Sequence, residues 1–470
     1  MTKPHILFFA RGYQADFYPE LTDDRYEAVF VTMTRAEADR VRAKGQTVTA
    51  CFEEDFDTLA PAEIPPHYLH TSFMSDRFLG RFDQATRLDI LGKEIAFWRV
   101  LMDRFKPAAV MNELVAIEIS EVLLIESRAQ NIPYLAALMC VIEGYFYWLP
   151  NPISLSGQKL DLPTQPSATA LNIADTYLEE LRQADYKPYY VRNLSGRRSL
   201  KPLLAGVAKA LVWRWRDWQS RDPSHAGSFR YETYSEEYSR RLQMFFASFT
   251  KGYDELDAIP ESHEIVLYPL HQEPEAKLNY MSEFRADQVA TIENVLKCLG
   301  PHQVLVVKEH PVDKGALLQP KFQKLRARSP NLRLLPGEVS GRAVLARADR
   351  VATLNSTVGW EAAVLGKCVC IMGEFFYDDL PGVHRIESWQ ALRDVMRTPV
   401  DRVEKLTPEA ARNFVAGMID ISYPCNPLPH TSLYQQDNIA KVRNAIVHGA
   451  KLEANANSSD EALSETAISG

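Results

Sequence analysis

At 470 residues, with 46% hydrophobic and 24% charged side chains, the chain exceeds what one hydrophobic core organises and calls for two packed domains. Its net charge of −8 excludes a general nucleic-acid binder, which needs surplus Lys and Arg to displace counterions from phosphates. The six cysteines form no CxxC pair and no His-flanked spacing, which excludes a zinc module and favours free thiols, and no run approaches the ~18 apolar residues of a spanning helix.

The N-terminal MTKPHILFFARG runs from a short basic lead directly into an apolar strand. It carries neither the apolar stretch nor the small-residue cleavage site of a signal peptide, so a cytoplasmic location is expected. Residues 5–11 and 27–33 are short apolar runs bounded by polar residues, the pattern of strands buried on both faces of a parallel sheet. The helical TRAEADRVRAKG closes on Gly45, where a helix C-cap is expected. TVTACF, a helix from about Thr86 to Arg104, AAVMNE, a helix through IEISEVLLIESRAQ and PYLAALM continue the alternation of a doubly wound sheet.

From about Asn151 to Ser262 that rhythm gives way to helices, among them LNIADTYLEELRQ, SLKPLLAGVAKALVWRWRDWQ and YETYSEEYSRRLQMFFASF. These are expected to lie over the first sheet or to bridge the halves, with a boundary near Pro260. Alternation then resumes in EIVLYPLH, QVLVVKEHP, LRLLPG, RVATLN and CVCIMG, five strands with intervening helices. The tail after Lys451 is acidic and Ser/Ala-rich, with too few apolar residues to offset the entropy of ordering. The expected fold is α/β, two Rossmann-like domains with a helical insertion between them. Its parts are 1–150, 151–260, 261–400, C-terminal helices over 401–450 that cross back to the first domain, and a disordered 451–470.

Ligands of open parallel sheets bind outside the carboxyl ends of the strands, where loops and helix N-termini converge. After EIVLYPL stand His271, Glu273 and Glu275; after QVLVV stand Lys308, Glu309, His310 and Pro311. Pro311 ends the strand by removing a ladder donor and holds His310 extended at the sheet mouth. After RVATL come Asn355, Ser356 and Thr357, a small polar triplet opening a helix, where backbone N–H groups and hydroxyls suit a phosphate. An ordinary N-cap explains the same triplet. Gly359 costs the first turn of that helix up to ~1 kcal/mol relative to Ala, and close approach of a ligand would account for it. Asp378 and Asp379 follow CVCIMG as adjacent loop carboxylates of the kind usually solvated, and Asp55-Phe56-Asp57 is a formal DxD far from the helix start. Neither is taken as a metal site, and no cofactor is expected.

The segments YPLHQEPEA, VVKEHP, NSTVGWEAAVLGK and MGEFFYDDLPGV, in that order, resemble the C-terminal half of bacterial capsule polysaccharide biosynthesis proteins, the group that includes capsular Kdo transferases. The resemblance implies a GT-B fold, two domains facing across a cleft, with a nucleotide-sugar donor in the C-terminal one and transfer without a metal ion. It implies that His310 meets phosphate or ribose, that Ser356 and Thr357 meet phosphate, and that Glu361 meets the ribose hydroxyls of a CMP-linked donor. It further implies an acceptor site and a catalytic carboxylate in the N-terminal half. Glu143, followed by Gly144, is the first choice and Glu113 the second. For either, a helix cap or salt-bridge partner is the competing explanation.

Between Arg197 and Arg221 lie seven Lys/Arg and one acid, interleaved with Trp213, Trp215 and Trp218. Such a helix suits an anionic lipid surface and a lipid-linked or glycan acceptor at the inner membrane; a core helix with solvated basic flanks is the bland alternative. A sugar-nucleotide epimerase, a polyol-phosphate transferase and a non-catalytic partner in polysaccharide export are the rival readings of the whole.

Overall fold

In strand β1 (His5–Phe9) every side chain from Ile6 onward is buried, and the two-residue alternation sends Leu7 and Phe9 to one core and Ile6 and Phe8 to another. A strand of this kind needs cover on both faces, which the chain supplies from distant segments. The computed structural model describes residues 3–188 apart from 70, 77, 78, 80 and 81; then 204–209, 211, 212, 215, 242, 243 and 246; and 252–452 apart from 274 and 275. By its contacts the chain divides into two units. One holds the described residues up to Ile153 and those from Ile421 onward, and the other lies between Ser154 and Asp420.

The first unit is a six-stranded sheet ordered β3-β2-β1-β4-β5-β6. The strands are β1, β2 (Glu27–Thr32), β3 (Val48–Cys51), β4 (Ala109–Asn112), β5 (Tyr134–Met139) and β6 (Phe146–Trp148). All neighbours are parallel except β5 and β6. On one face Leu7, Phe9, Val29, Val31 and Val110 pack with the Gln84–Phe105 and Glu118–Ala129 helices, Trp98 meeting Phe9 edge-on at 4.9 Å. On the other face Ile6, Phe8, Met111 and Leu135 are covered by Ile439, Val442, Ala445 and Ile446 of the Gln436–Gly449 helix. Each such aliphatic or aromatic side chain contributes about 1.5–3 kcal/mol when fully buried. Gly45, expected as a cap, follows the Arg35–Ala43 helix with a φ of 79°, a left-handed conformation that glycine adopts without strain.

The second unit repeats this order: β7 (Glu264–Pro269), β8 (Gln303–Lys308), β9 (Leu332–Leu335), β10 (Arg350–Thr353), β11 (Cys368–Ile371) and β12 (Val383–Arg385) run β12-β11-β10-β7-β8-β9, all parallel. Counted from its own first strand, each sheet reads 3-2-1-4-5-6, the doubly wound dinucleotide-type order. The two Rossmann-like units expected from sequence are therefore present.

Three expectations need correction. The second sheet has a sixth strand, β12, and the first an antiparallel β6; each is three residues long, too short to show a period. The Ala168–Arg182 helix, expected to lie over the first sheet or to bridge the halves, packs in the second unit, where Asp175 pairs with Arg412 at 2.6 Å and Ser167 holds Asp420. Asp378 is not a solvated loop carboxylate. It is fully buried and accepts from Ser156 Oγ at 3.0 Å, the Gly157 N–H at 2.9 Å and Arg385 at 2.8 Å. No helix among the described residues is long and apolar enough to cross a membrane.

Candidate functional site

In the second unit the connections from β7 and β10 leave the sheet in opposite directions, which opens a crevice at their carboxyl ends. Strands β11, β10, β7 and β8 are consecutive neighbours, so at ~4.8 Å per strand their four exits span roughly 15 Å. His271, Asn355 with Ser356, and Lys308 with His310 leave from three adjacent ends of this row.

Each exit is fixed by a buried polar group. Gln288, in the first turn of the Gln288–Cys298 helix, accepts the His271 N–H at 2.8 Å and donates to the His271 carbonyl at 3.0 Å. The same amide donates to Glu273 Oε1 at 2.8 Å, and Lys321 lies 2.9 Å from Glu273 Oε2. His271 is thus pinned through its backbone and its ring is buried. Glu275 lies outside the described residues.

At β8 the organising group is Glu309. Its carboxylate is buried and accepts from the Tyr253 hydroxyl at 2.9 Å and the N–H groups of Leu317 and Gly337, each at 3.1 Å. Burial pushes its pKa up, and these donors pull it back. A Cβ at Gly337 would lie 3.0 Å from the His310 carbonyl oxygen, a tight contact that glycine avoids. His310 Nδ1 accepts the Val312 N–H at 3.2 Å, which assigns the neutral ring's proton to Nε2. Nε2 is therefore a donor, the type a phosphate or ribose oxygen requires. Lys308 is buried with Nζ 3.0 Å from the Glu309 carbonyl, and burial draws its pKa down to about 8.

At β10 the Thr357–Val364 helix is capped by Ser356, whose Oγ accepts the Val358 N–H at 3.1 Å. The cap reading of the triplet is thus realised, with Thr357 at the first helical position. Buried Asn355 donates to Ser282 Oγ at 3.2 Å, and the Tyr377 hydroxyl donates to the Ser356 carbonyl at 2.6 Å. The expected reason for Gly359 is corrected: it is buried, and a Cβ there would overlap the Tyr377 hydroxyl, so the glycine makes room for a tyrosine and not for a ligand. Glu361, expected near ribose, has Oε2 3.7 Å from Arg342, and both side chains are largely buried.

In the first unit the corresponding switch point lies between β1 and β4. Glu113, directly after β4, is held by Arg11 at 2.8 Å and Gln14 at 3.2 Å, the competing ion-pair explanation made concrete. Burial and the Glu113 carboxylate together push the nearby Tyr13 phenol well up. Glu143 stands in the β5–β6 turn, before Gly144 with a φ of 85°, and His430 Nε2 lies 3.3 Å from its Oε1. The formal DxD is structural at its first acid: Asp55 accepts the Cys51 N–H at 3.2 Å, and burial raises its pKa. Gln288 and His430 were invisible in the sequence, because their partners are 17 and 287 positions away, and Glu309 was visible only as a strand-end acid, its Gly337 partner being 28 positions away.

The order of both sheets defines a protein of two Rossmann-like units, with polar residues at the strand exits. Residues 222–424 match the family model described as capsule polysaccharide biosynthesis protein, so that region is of the family the sequence resembles. Protein FixF of Sinorhizobium fredii is 33% identical over 79 residues, a stretch covering 17% of this chain and 18% of that protein. Among solved structures, the chain is similar to Thermosulfurimonas dismutans KpsC, beta Kdo 2,4 transferase, with a TM-score of 0.36, 16% identity and coverage of 73% of this chain and 87% of that one. It is similar to UDP-GlcNAc 2-epimerase from Neisseria meningitidis at a TM-score of 0.29 and 10% identity, over 88% of this chain and 98% of that one.

Proposed function

We propose that the protein is a glycosyltransferase of capsule or other surface polysaccharide biosynthesis, of GT-B type, which moves a sugar from a nucleotide donor to a glycan or lipid-linked acceptor. The observation that carries the reading is the coincidence of the 222–424 family match with the β7-β8-β10 crevice and its polar exits. The donor phosphate sits at the Ser356-capped helix end beside His310 Nε2–H, with Thr357 and Lys308 as further donors and Glu361 toward the ribose. His271, Glu273, Glu275, Asn355 and Pro311 shape the same crevice, and CMP is the proposed nucleotide, with Kdo or a related acidic sugar.

In the transfer, the acceptor hydroxyl oxygen bonds to the anomeric carbon while the bond from that carbon to the phosphate oxygen breaks. The nucleotide leaves with the electron pair. A carboxylate, Glu143 or in second place Glu113, takes the hydroxyl proton and must lie within ~3 Å of it. Transfer proceeds without a metal ion, so EDTA treatment is expected to leave the rate unchanged.

A thermal-shift series with CMP, CDP, UDP and GDP tests the reading. A nucleotide at ~100 times its dissociation constant adds about 2.7 kcal/mol of stability. Stabilisation by CMP is expected; a response to UDP alone overturns the donor assignment, and none to any nucleotide overturns the reading.

The acceptor side of the proposal extends to an anionic membrane surface. In the stretch of 197–221, Leu204, Leu211 and Trp215 are 63%, 62% and 56% exposed. Their spacing of seven and four puts them on one helical face. Trp213 and Trp218 lie outside the described residues. Co-flotation with phosphatidylglycerol vesicles, lost in a Leu211→Ala, Trp215→Ala variant, is the expected result.

A further inference from the structure

The first unit contains a carboxylate held by an imidazole that the proposed reaction does not yet use. We infer that His430 is a positioning residue for Glu143, an inference that rests on reading Glu143 as the acceptor-activating base.

Three observations carry it. The first is the tautomer. His430 Nδ1 receives the Ser432 backbone N–H at 3.2 Å and lies 2.8 Å from Ser432 Oγ, so the neutral ring keeps its proton on Nε2, the nitrogen 3.3 Å from Glu143 Oε1. The imidazole therefore donates to Oε1 of the carboxylate.

The second is that the loop bearing His430 is anchored at both ends. Buried Asn438 accepts the Asn426 N–H at 2.7 Å and donates to the carbonyls of Asn426 at 2.8 Å and Leu433 at 3.1 Å, bracketing residues 426–433. Upstream, Tyr423 exchanges backbone hydrogen bonds of 3.1 and 2.7 Å with Phe146 of β6, and their rings stack at 5.3 Å. The Glu143 turn is closed on its own side by the Cys140 N–H donating to the Tyr145 carbonyl at 2.9 Å. Both partners thus ride on supports tied to the same edge of the sheet.

The third is exposure. The His430 side chain is 22% exposed and that of Glu143 44%, so the carboxylate is the more accessible of the two to solvent and to an acceptor hydroxyl. Misplacement of a reacting group by about 1 Å can cost on the order of 100-fold in rate, so holding the carboxylate has kinetic weight.

The test compares His430→Ala, His430→Gln, Glu143→Gln and the double variant Glu143→Gln, His430→Ala in the full chain. The reading is CMP release from CMP-Kdo with a Kdo-terminated glycolipid acceptor. His430→Ala is expected to lower kcat roughly 10- to 100-fold with the KM for CMP-Kdo unchanged. His430→Gln, which keeps an N–H donor, is expected to recover part of the loss, and the double variant should be no slower than Glu143→Gln alone. Full activity in Glu143→Gln overturns the assignment of the base. Loss in Glu143→Gln with full activity in His430→Ala overturns the positioning role only. Independently of substrate, nitrogen NMR of the histidine-labelled protein should show the His430 proton on Nε2 and a changed signal in Glu143→Gln; an unchanged signal overturns the contact itself.

Discussion

Lys308, proposed to donate to the nucleotide phosphate, stands in surroundings that oppose its charge. Its pKa falls from 10.5 to about 8 because burial disfavours the ammonium form, although Glu309 and Glu338 oppose the shift. For a base whose folded value lies below its unfolded value, the penalty is full below pH 8, shrinks as the folded chain sheds the proton first, and vanishes above pH 10.5. Lys308→Met should therefore stabilise the unliganded protein near pH 7, by at most roughly 3 kcal/mol, and lose that advantage by pH 10.5, as read from urea midpoints. The same substitution should weaken CMP binding, and wild-type binding should fall as pH rises through 8, accompanied by proton uptake in calorimetry. Gly359 makes the contrasting case of packing without chemistry. Gly359→Ala drives a methyl into the Tyr377 hydroxyl and should cost about 1–3 kcal/mol in thermal melts whether or not nucleotide is present.

At the scale of the element, legibility followed burial. The strands from β7 to β11 are apolar on both faces and read as continuous hydrophobic runs, so their positions and the polar residues at their exits were visible in the sequence. Strands β6 and β12 were not, since three residues carry no period. What fixes the exits was hidden for a different reason: Glu309 looked like one more strand-end acid, and only the fold brings Tyr253, Leu317 and Gly337 to it. Glu309→Ala would orphan two N–H groups and a hydroxyl, and a loss of about 2–4 kcal/mol in urea unfolding is expected. A second hidden feature lies at the start of the Glu118–Ala129 helix. Glu118 is buried 2.9 Å from Arg87 and its pKa is raised to about 7, chiefly by burial, with Asp76 and Glu121 adding to it and Arg87 opposing. For an acid raised in this way, stability is gained as pH falls from 7 toward 4.5, and Glu118→Gln should flatten that part of the stability profile.

For the whole molecule, the decisive feature is that the first sheet is finished by the end of the chain. The Gln436–Gly449 helix supplies Ile439, Val442, Ala445 and Ile446 to the core under Ile6, Phe8 and Phe30, while every described residue of the second unit lies between Ser154 and Asp420. Residues 1–153 alone should be insoluble, whereas adding residues 421–452 in trans or through a short linker should recover soluble protein, as sedimentation would show. During translation, at about 5–20 residues per second, the N-terminal strands must wait for a segment more than 260 positions later to emerge from the ribosome. The later-made middle of the chain can therefore reach its native form while the earlier-made beginning still depends on chaperones, an inversion of the usual vectorial order.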